Sequence, residues 1–288
     1  GVLFKALKSF VGTGGDLANY LSSPGHCCLP PVTDEIILMS ATELARKIRK
    51  REISSVRVVR AFVDRARDVQ SYLNAIIDER FDDAIHDAQA IDEFLRTTSL
   101  SEDELAQQKP LLGLPFTTKD SIQVAGMKWS SGCMRRKEMI SQEDAPVVKN
   151  YRNAGAIPMA LTNVPELLLW FATSNKLYGT TNNPFDLSRT PGGSSGGEAA
   201  LIAASGSPLS ICSDIGGSIR MPAFHCGLFG HKPTHEVIDY HGTFPEVKDG
   251  LEKIFTFGPI TRHVDDIIPA ICSMAGENAK YFKDLDKP

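Results

Sequence analysis

The sequence has few cysteines, no long apolar run and no excess of one charge. Its six cysteines include no CxxC pair, a pattern typical of free thiols in a reducing, intracellular compartment rather than of a disulfide framework. No stretch of 18 apolar residues is present, so no membrane-spanning helix is predicted. The 31 basic and 35 acidic residues give a net charge of −4 and no basic tract, which argues against nucleic acid as a partner.

The sequence does have the composition of a globular protein, 42% hydrophobic and 23% charged over 288 residues. It begins with Gly rather than Met, which predicts a processed or cut N-terminus. The opening GVLFKALKSFVG suits either an amphipathic helix on a membrane surface or a helix packed on the protein body. The Pro-, Ser- and Gly-rich residues 21–35 predict a linker. We therefore divide the chain into an amphipathic segment with its linker, residues 1–35, and a main domain, residues 36–288.

Helical and strand patterns alternate along the main domain. Helices are predicted to start at Ser40, which forms a capping-box pattern with Glu43, and at Ser54. Other helices are predicted from the spacing of apolar residues at 81–95, 143–154 and 165–172, and residues 99–110 are predicted to be a polar surface excursion. Short apolar segments at 73–78, 111–122 and 155–163 predict strands. This alternation predicts an α/β fold built on one sheet.

The stretch 191–224, PGGSSGGEAALIAASGSPLSICSDIGGSIRMPAF, combines small hydroxyl residues and glycines with too much apolar content for a linker. It matches G-x-S-x-G twice, centred on Ser194 and on Ser195, which is the nucleophile-elbow pattern of α/β-hydrolases. An elbow requires a strand directly before it, and the preceding NNPFDLSRTP has two prolines and no apolar run. The elbow is therefore the weaker interpretation, although later histidines leave a triad with Ser194 or Ser195 open.

Ser218 is a second candidate nucleophile, because two glycines directly before it allow consecutive backbone N–H groups to converge on one point. A serine hydroxyl also needs a base. Lys119 ends an apolar strand, where loss of water would lower its pKa and leave a neutral amine. The alternative is an ion pair between Lys119 and the adjacent Asp120, and the residues considered alone favour that ion pair.

Two further patterns have alternative interpretations. His231 and His235 have the i, i+4 spacing of helical metal ligands, but Pro233 between them argues against a helix and a metal site. Trp170 and Phe171 suit either the lining of an acyl channel or ordinary core packing.

The stretch GGSSGGEAALIAASGSPLSICSDIGGSIRMPAFHCGLFGHKPT resembles the signature of the amidase family, the Ser–cis-Ser–Lys amidohydrolases. The flanking LLGLPFTTKDSI, TNVPELLLW and SNKLYGTTNNPFD agree with this resemblance. The similarity covers roughly residues 36–275, and within the family the chain looks most like the type 2 fatty-acid amide hydrolases of animals. The resemblance implies a mixed central β-sheet flanked by helices.

The same resemblance implies a role for each matching residue. Ser218 corresponds to the nucleophile, Ser194 to a bridging serine that follows a cis peptide bond, and Lys119 to the base. Ser195 corresponds to a supporting hydroxyl, and no metal or other cofactor is implied. The implied oxyanion hole consists of Ile215, Gly216, Gly217 and Ser218.

The implied activity is hydrolysis of an amide, in particular a fatty-acid amide, through an acyl-enzyme. The expected partner is a small lipid amide, with peripheral membrane contact and a homodimer as further expectations. Two alternatives stay open, a glutaminase similar to those that serve tRNA-dependent amidotransferases and a non-catalytic truncated chain. Family members are longer, so the resemblance also implies that a C-terminal part, which completes the sheet, is missing here.

Overall fold

A computed structural model describes residues 29–282, with side chains to residue 279. The predicted amphipathic segment and Cys27 and Cys28 lie outside these residues. The division of the chain at residue 35 stays a prediction. The helices are α1 Ala41–Arg49, α2 Ser55–Leu73, α3 Phe81–Thr97, α4 Glu102–Gln108, α5 Pro146–Asn153, α6 Gly196–Ala203, α7 Arg220–His225 and α8 Ile267–Ala275.

A five-stranded mixed sheet forms the centre of the described chain. Its order is β1-β3-β2-β6-β8, with the three inner strands parallel to one another and both edge strands antiparallel to their neighbours. The five strands are β1 Ile76–Glu79, β2 Pro115–Lys119, β3 Ile157–Thr162, β6 Leu209–Asp214 and β8 Thr256–Gly258. Two small two-stranded sheets pair β4 Ser174–Asn175 with β5 Gly179–Thr180, and β7 Phe229–Gly230 with β9 Ile260–Thr261.

Helices cover both faces of the sheet, as the alternation of side chains along β2 shows. Successive residues of a strand point to opposite faces. The Phe116 ring packs edge-on against Tyr151 of α5, with ring centres 5.2 Å apart. The next residue, Thr117, donates from its hydroxyl to the Glu198 carboxylate of α6 on the other face. Lys119, two residues further along β2, is therefore on the α6 side of the sheet.

The helix starts predicted from capping residues are confirmed. The Ser40 hydroxyl accepts from the Glu43 N–H at 3.0 Å, and the Ser54 hydroxyl accepts from the Arg57 N–H at 3.1 Å. Each bond satisfies one N–H that the first turn of a helix leaves without a partner. The strands predicted near 73–78, 111–122 and 155–163 are also confirmed, as β1, β2 and β3.

One local prediction is incomplete and another is wrong. The polar stretch 99–110 lies at the surface as predicted, but it also contains helix α4, which starts with a complete capping box between Ser101 and Glu104. The segment 165–172 is not a regular helix: it makes one short 3₁₀ turn, in which Leu167 and Leu168 have φ values of 54° and 65°. An α-helix needs φ near −60°, so it cannot continue through these two leucines.

Three sequence predictions concern membrane-spanning helices, metal ligands and free thiols. No helix within residues 29–282 is both long enough and apolar enough to cross a bilayer. The described side chains include no group of three or more His, Cys, Asp or Glu that could hold a metal ion. The predicted free thiols are confirmed for Cys133, Cys212 and Cys226.

Candidate active site

Lys119 ends strand β2 with its side chain completely buried. Its Nζ lies 2.8 Å from Ser194 Oγ and 2.9 Å from Ser213 Oγ. The predicted alternative, an ion pair with Asp120, is wrong: the Asp120 carboxylate instead accepts hydrogen bonds from the N–H groups of Ser130 and Gly132 and from the Ser130 hydroxyl. Lys119 is the last residue of β2 and points toward α6, whereas Asp120 begins the following turn and is directed at the Ser130 loop, so the two side chains do not pair.

The surroundings of Lys119 shift its amine toward the neutral form. Burial lowers the pKa of Lys119 to about 8, against the opposing influence of Cys212, Asp214 and Glu198, which would each raise it when ionised. Burial also raises the pKa of the Cys212 thiol to about 12, so Cys212 is uncharged at neutral pH. Asp214, whose pKa is lowered, is therefore the ionised neighbour of Lys119, whereas burial raises the pKa of Glu198 to about 8 and leaves its carboxyl only partly ionised near neutral pH.

Ser194 and Ser195 lie between a cis peptide bond and the first turn of α6. The cis bond joins Gly193 to Ser194, as the resemblance to the amidases implies. A Cβ at Gly193 would lie 2.6 Å from the carbonyl oxygen of Trp170, so only glycine fits this position. The Ser195 hydroxyl is completely buried and makes no hydrogen bond to another described residue. No strand directly precedes Ser194, and the elbow interpretation therefore finds no support in the described chain.

The segment that carries Ser218 is held by Asp214 at the end of β6. The buried Asp214 carboxylate accepts from the N–H of Gly217 at 2.7 Å and of Ile219 at 3.0 Å, and it pairs with the Arg220 guanidinium at 2.9 Å. Burial acts to raise the pKa of Asp214, but these hydrogen bonds and the Arg220 charge hold that pKa well below its usual range. Asp214 therefore stays ionised and fixes the backbone on both sides of Ser218.

The four N–H groups predicted for the oxyanion hole do not have the same surroundings. The Gly217 N–H donates to Asp214, and Gly217 has a φ of 122°. The N–H groups of Gly216 and Ser218 donate to no acceptor within residues 29–282. Gly216 is exposed, and both it and Ser218 line the same cavity. Two consecutive glycines allow this close approach of backbone to a ligand.

This cavity, of about 330 Å³, brings most of the predicted site together. Ser194, Ser213 and Ser218 lie on its wall, and the Ser195 N–H donates to the Ser218 carbonyl at 3.2 Å, which joins the two serine segments. Gly216 and Glu246 also line the cavity. The other lining residues are all apolar: Leu167, Leu168, Leu169, Trp170, Phe171, Ile215, Pro245, Val247, Leu251 and Phe255. The core-packing interpretation of Trp170 and Phe171 is wrong, because they are 65% and 60% exposed.

Sequence reasoning missed two polar residues beside Lys119. Ser213 on β6 contacts the Lys119 amine, and the signal was a hydroxyl residue that directly follows the buried LSIC segment of that strand. Glu198 is completely buried in α6 and accepts hydrogen bonds from Thr117 at 2.7 Å and Thr162 at 2.9 Å. Burial raises the pKa of Glu198 to about 8, although both hydrogen bonds and the Lys119 charge act to lower it.

Comparisons with known proteins agree with the fold and the motif. The sequence model of the amidase family, described as Amidase, matches residues 57–288. Fatty-acid amide hydrolase 2-A of Danio rerio is 42% identical over 288 residues, which cover 99% of this chain and 53% of that protein. A glutamyl-tRNA(Gln) amidotransferase subunit of Treponema denticola is 36% identical over 246 residues, which cover 84% of this chain and 48% of that protein.

A solved structure named fatty acid amide hydrolase superposes with a TM-score of 0.79 at 30% identity, over 89% of this chain and 44% of that chain. This similarity confirms the predicted α/β fold with a mixed central sheet flanked by helices. The chain spans about half the length of the curated relatives it matches. The family match extends over most of the sequence and includes the serine-rich stretch and Lys119. The chain therefore belongs to the amidase family.

Proposed function

We propose that this protein hydrolyses linear amides, with Ser218 as the nucleophile, Ser194 as a proton relay and Lys119 as the base. One observation carries the proposal: a completely buried lysine amine lies 2.8 Å from the Ser194 hydroxyl, and Ser194 shares a cavity wall with Ser218. A neutral amine with a pKa near the working pH can both accept and return a proton.

The proposed reaction has two halves. Ser218 Oγ bonds to the amide carbonyl carbon while its proton passes to Ser194 Oγ, and the Ser194 proton passes to Lys119 Nζ. The carbonyl oxygen becomes an oxyanion beside the N–H groups of Gly216 and Ser218. The C–N bond then breaks, and the proton returns from Lys119 through Ser194 to the leaving nitrogen. Water attacks the resulting ester and loses its proton along the same route, and Ser218 leaves with a proton as the carboxylic acid is released.

The cavity wall favours a lipid amide as the substrate. Ten of the residues that line the cavity are apolar side chains, among them the exposed Leu169, Trp170 and Phe171. Burial of an acyl chain against such a wall is favourable, by about 25 cal/mol per Å² of apolar surface. The relatives named fatty-acid amide hydrolase agree with this substrate class.

A glutaminase is the second candidate, because the relatives also include a component of a glutamyl-tRNA(Gln) amidotransferase. Free glutamine carries an α-carboxylate and an α-ammonium, which need charged or strongly polar partners in a binding site. Among the described residues that line the cavity, Glu246 is the only ionisable one, and no cation is present to bind the α-carboxylate. The cavity therefore favours the lipid amide over glutamine. Peripheral membrane contact, a homodimer and an intracellular location stay predictions.

Ammonia release from oleamide and from glutamine tests this proposal. We expect the 288-residue chain to release ammonia from oleamide and none above background from glutamine. Release from glutamine alone would support the second candidate. A chain that is folded by near-UV circular dichroism but releases ammonia from neither compound would support the non-catalytic alternative.

Ser194 and Ser213 make a matched pair, because both hydroxyls contact the Lys119 amine at nearly the same distance, 2.8 and 2.9 Å. If Ser194 is the relay, Ser194→Ala lowers kcat for oleamide by about 10²- to 10⁴-fold, the usual contribution of proton transfer by a positioned group. Ser213→Ala removes one of two hydrogen bonds to Lys119, and we expect a decrease of less than about tenfold. The reverse order of the two variants would identify Ser213 as the relay.

A further inference from the structure

Lys232 contacts the Ser218 segment from outside the cavity. It lies two residues after β7, and its Nζ donates to the Ile215 carbonyl at 2.8 Å. The same nitrogen lies 3.4 Å from Asp214 Oδ1, a longer contact. Asp214 is already bound by Arg220 and by the N–H groups of Gly217 and Ile219. The Ile215 carbonyl is therefore the closer partner of the Lys232 ammonium.

The hydrogen bond from Lys232 fixes the orientation of the peptide between Ile215 and Gly216, which steric contacts do not restrict. A Cβ at Gly216 would lie more than 4 Å from every other described residue except its chain neighbours, so packing by these residues does not restrict the peptide between Ile215 and Gly216. In a trans peptide the C=O and N–H groups are coplanar and point in opposite directions. Lys232 does not line the cavity, whereas Gly216 does. Holding the carbonyl on the Lys232 side therefore directs the Gly216 N–H away from Lys232.

The same contact strengthens the Gly216 N–H as a donor. A cation on the carbonyl of a peptide polarises the whole amide, because hydrogen bonds in series reinforce one another in a low dielectric. The Gly216 N–H has no acceptor within residues 29–282, so it is available to a ligand in the cavity.

We propose that Lys232 is a positioning residue for the oxyanion hole, which orients and polarises the Ile215–Gly216 peptide so that the Gly216 N–H stabilises the tetrahedral intermediate. This inference rests on the proposed amide hydrolysis. It assigns to Lys232 an effect on the transition state and none on the binding of the acyl chain. A role limited to neutralising Asp214 would instead make Lys232 equivalent to Arg220.

Substitution of Lys232 separates these roles. We expect Lys232→Met to lower kcat for oleamide by about 10- to 10²-fold with little change in KM, less than the roughly 10²- to 10³-fold cost of deleting a whole oxyanion donor. The affinity for oleoyl trifluoromethyl ketone, whose adduct with serine carries an oxyanion, falls by a similar factor. The affinity for oleyl alcohol, which has the same hydrocarbon chain but no carbonyl or negative charge to occupy the oxyanion hole, stays unchanged. Lys232→Arg keeps a cationic donor and should retain most of the parent kcat. Lys232→Gln keeps a neutral donor, and its kcat should lie between those of the Met and Arg variants.

Arg220→Met is the matched control. It removes a cation that contacts Asp214 but makes no hydrogen bond to the Ile215 carbonyl. The Lys232 side chain is 21% exposed, and near-UV circular dichroism checks that each variant is folded. Equal kcat and inhibitor affinity in Lys232→Met and the parent, or the same losses in Arg220→Met, would overturn the inference alone. Absence of hydrolysis by the parent chain would remove the proposed function and this inference together.

Discussion

Replacement of Ser218 by alanine is expected to abolish amide hydrolysis, with a decrease in kcat of about 10⁴- to 10⁶-fold. Ser218 lies on the cavity wall directly after Gly216 and Gly217, where unbonded backbone N–H groups are available to an oxyanion. Alanine keeps the backbone but has no oxygen to form the acyl-enzyme. Release of oleic acid from oleamide measures the loss.

A fluorophosphonate probe measures the nucleophile directly, because Ser218 Oγ bonds to phosphorus and expels fluoride. Intact-protein mass spectrometry should show one adduct on the parent chain and none on Ser218→Ala. Ser207→Ala is a suitable control, since Ser207 is also buried in this stretch but its hydroxyl donates to the Leu209 carbonyl at 2.8 Å, within the turn before β6. An adduct on Ser218→Ala, or its loss in Ser207→Ala, would contradict the assignment.

The sequence predicts those parts of the fold that are determined by residues close together in the chain. The starts of α1 and α2 follow from one hydroxyl and an N–H three residues later, at Ser40 and Ser54. Strands β2 and β3 are buried along their whole length, and each lies within a short stretch of the sequence that is rich in apolar residues. Helix α4 also has a local signal, the capping box from Ser101, but only Leu105 is buried in it, so its apolar periodicity is too weak to predict a helix.

The segment 165–172 shows where such reasoning stops. Its leucines and aromatics have the composition of a buried helix, but distant parts of the chain determine its path. The Leu167 N–H donates to the Ser131 carbonyl at 2.9 Å, and the Trp170 carbonyl packs against Gly193, beside the cis bond. These contacts replace the helical hydrogen bonds and place apolar side chains on the cavity wall. Tertiary structure overrides local propensity here, which no pattern in eight residues can reveal.

The candidate site divides in the same way. The spacing of glycines around Ser218 is visible in sequence, and the resemblance to the amidases assigns Ser194 and Lys119. Ser213 and Glu198 come close to Lys119 only when β2, β6 and α6 pack together: Ser213 contacts the Lys119 amine, and Glu198 acts on it electrostatically. A buried carboxylate beside a buried amine is a pairing that composition and spacing do not encode.

Replacement of Lys119 by methionine is expected to lower kcat for oleamide by about 10²- to 10⁴-fold, the contribution of the general base. Methionine fills an apolar path of similar length, so the loss reports the missing amine. In the parent, activity should rise with pH through an acid limb near 8, because Lys119 with a pKa of about 8 is protonated below that pH and cannot accept a proton. The residual activity of Lys119→Met should lack this limb. An unchanged limb would show that another group is the base.

Glu198→Gln tests the same amine while leaving it in place. When ionised, Glu198 favours the charged form of Lys119, and with a pKa of about 8 it is partly ionised over the acid limb, so its removal should lower the pKa of Lys119 and move the limb below 8. The glutamine side chain can accept from one of the hydroxyls of Thr117 and Thr162 through its oxygen and donate to the other through its NH₂ group. Asp120→Asn, which removes a buried carboxylate directed at the Ser130 loop, should leave the limb in place. A limb that moves upward in Glu198→Gln, or moves equally in Asp120→Asn, would contradict an electrostatic coupling between Glu198 and the base.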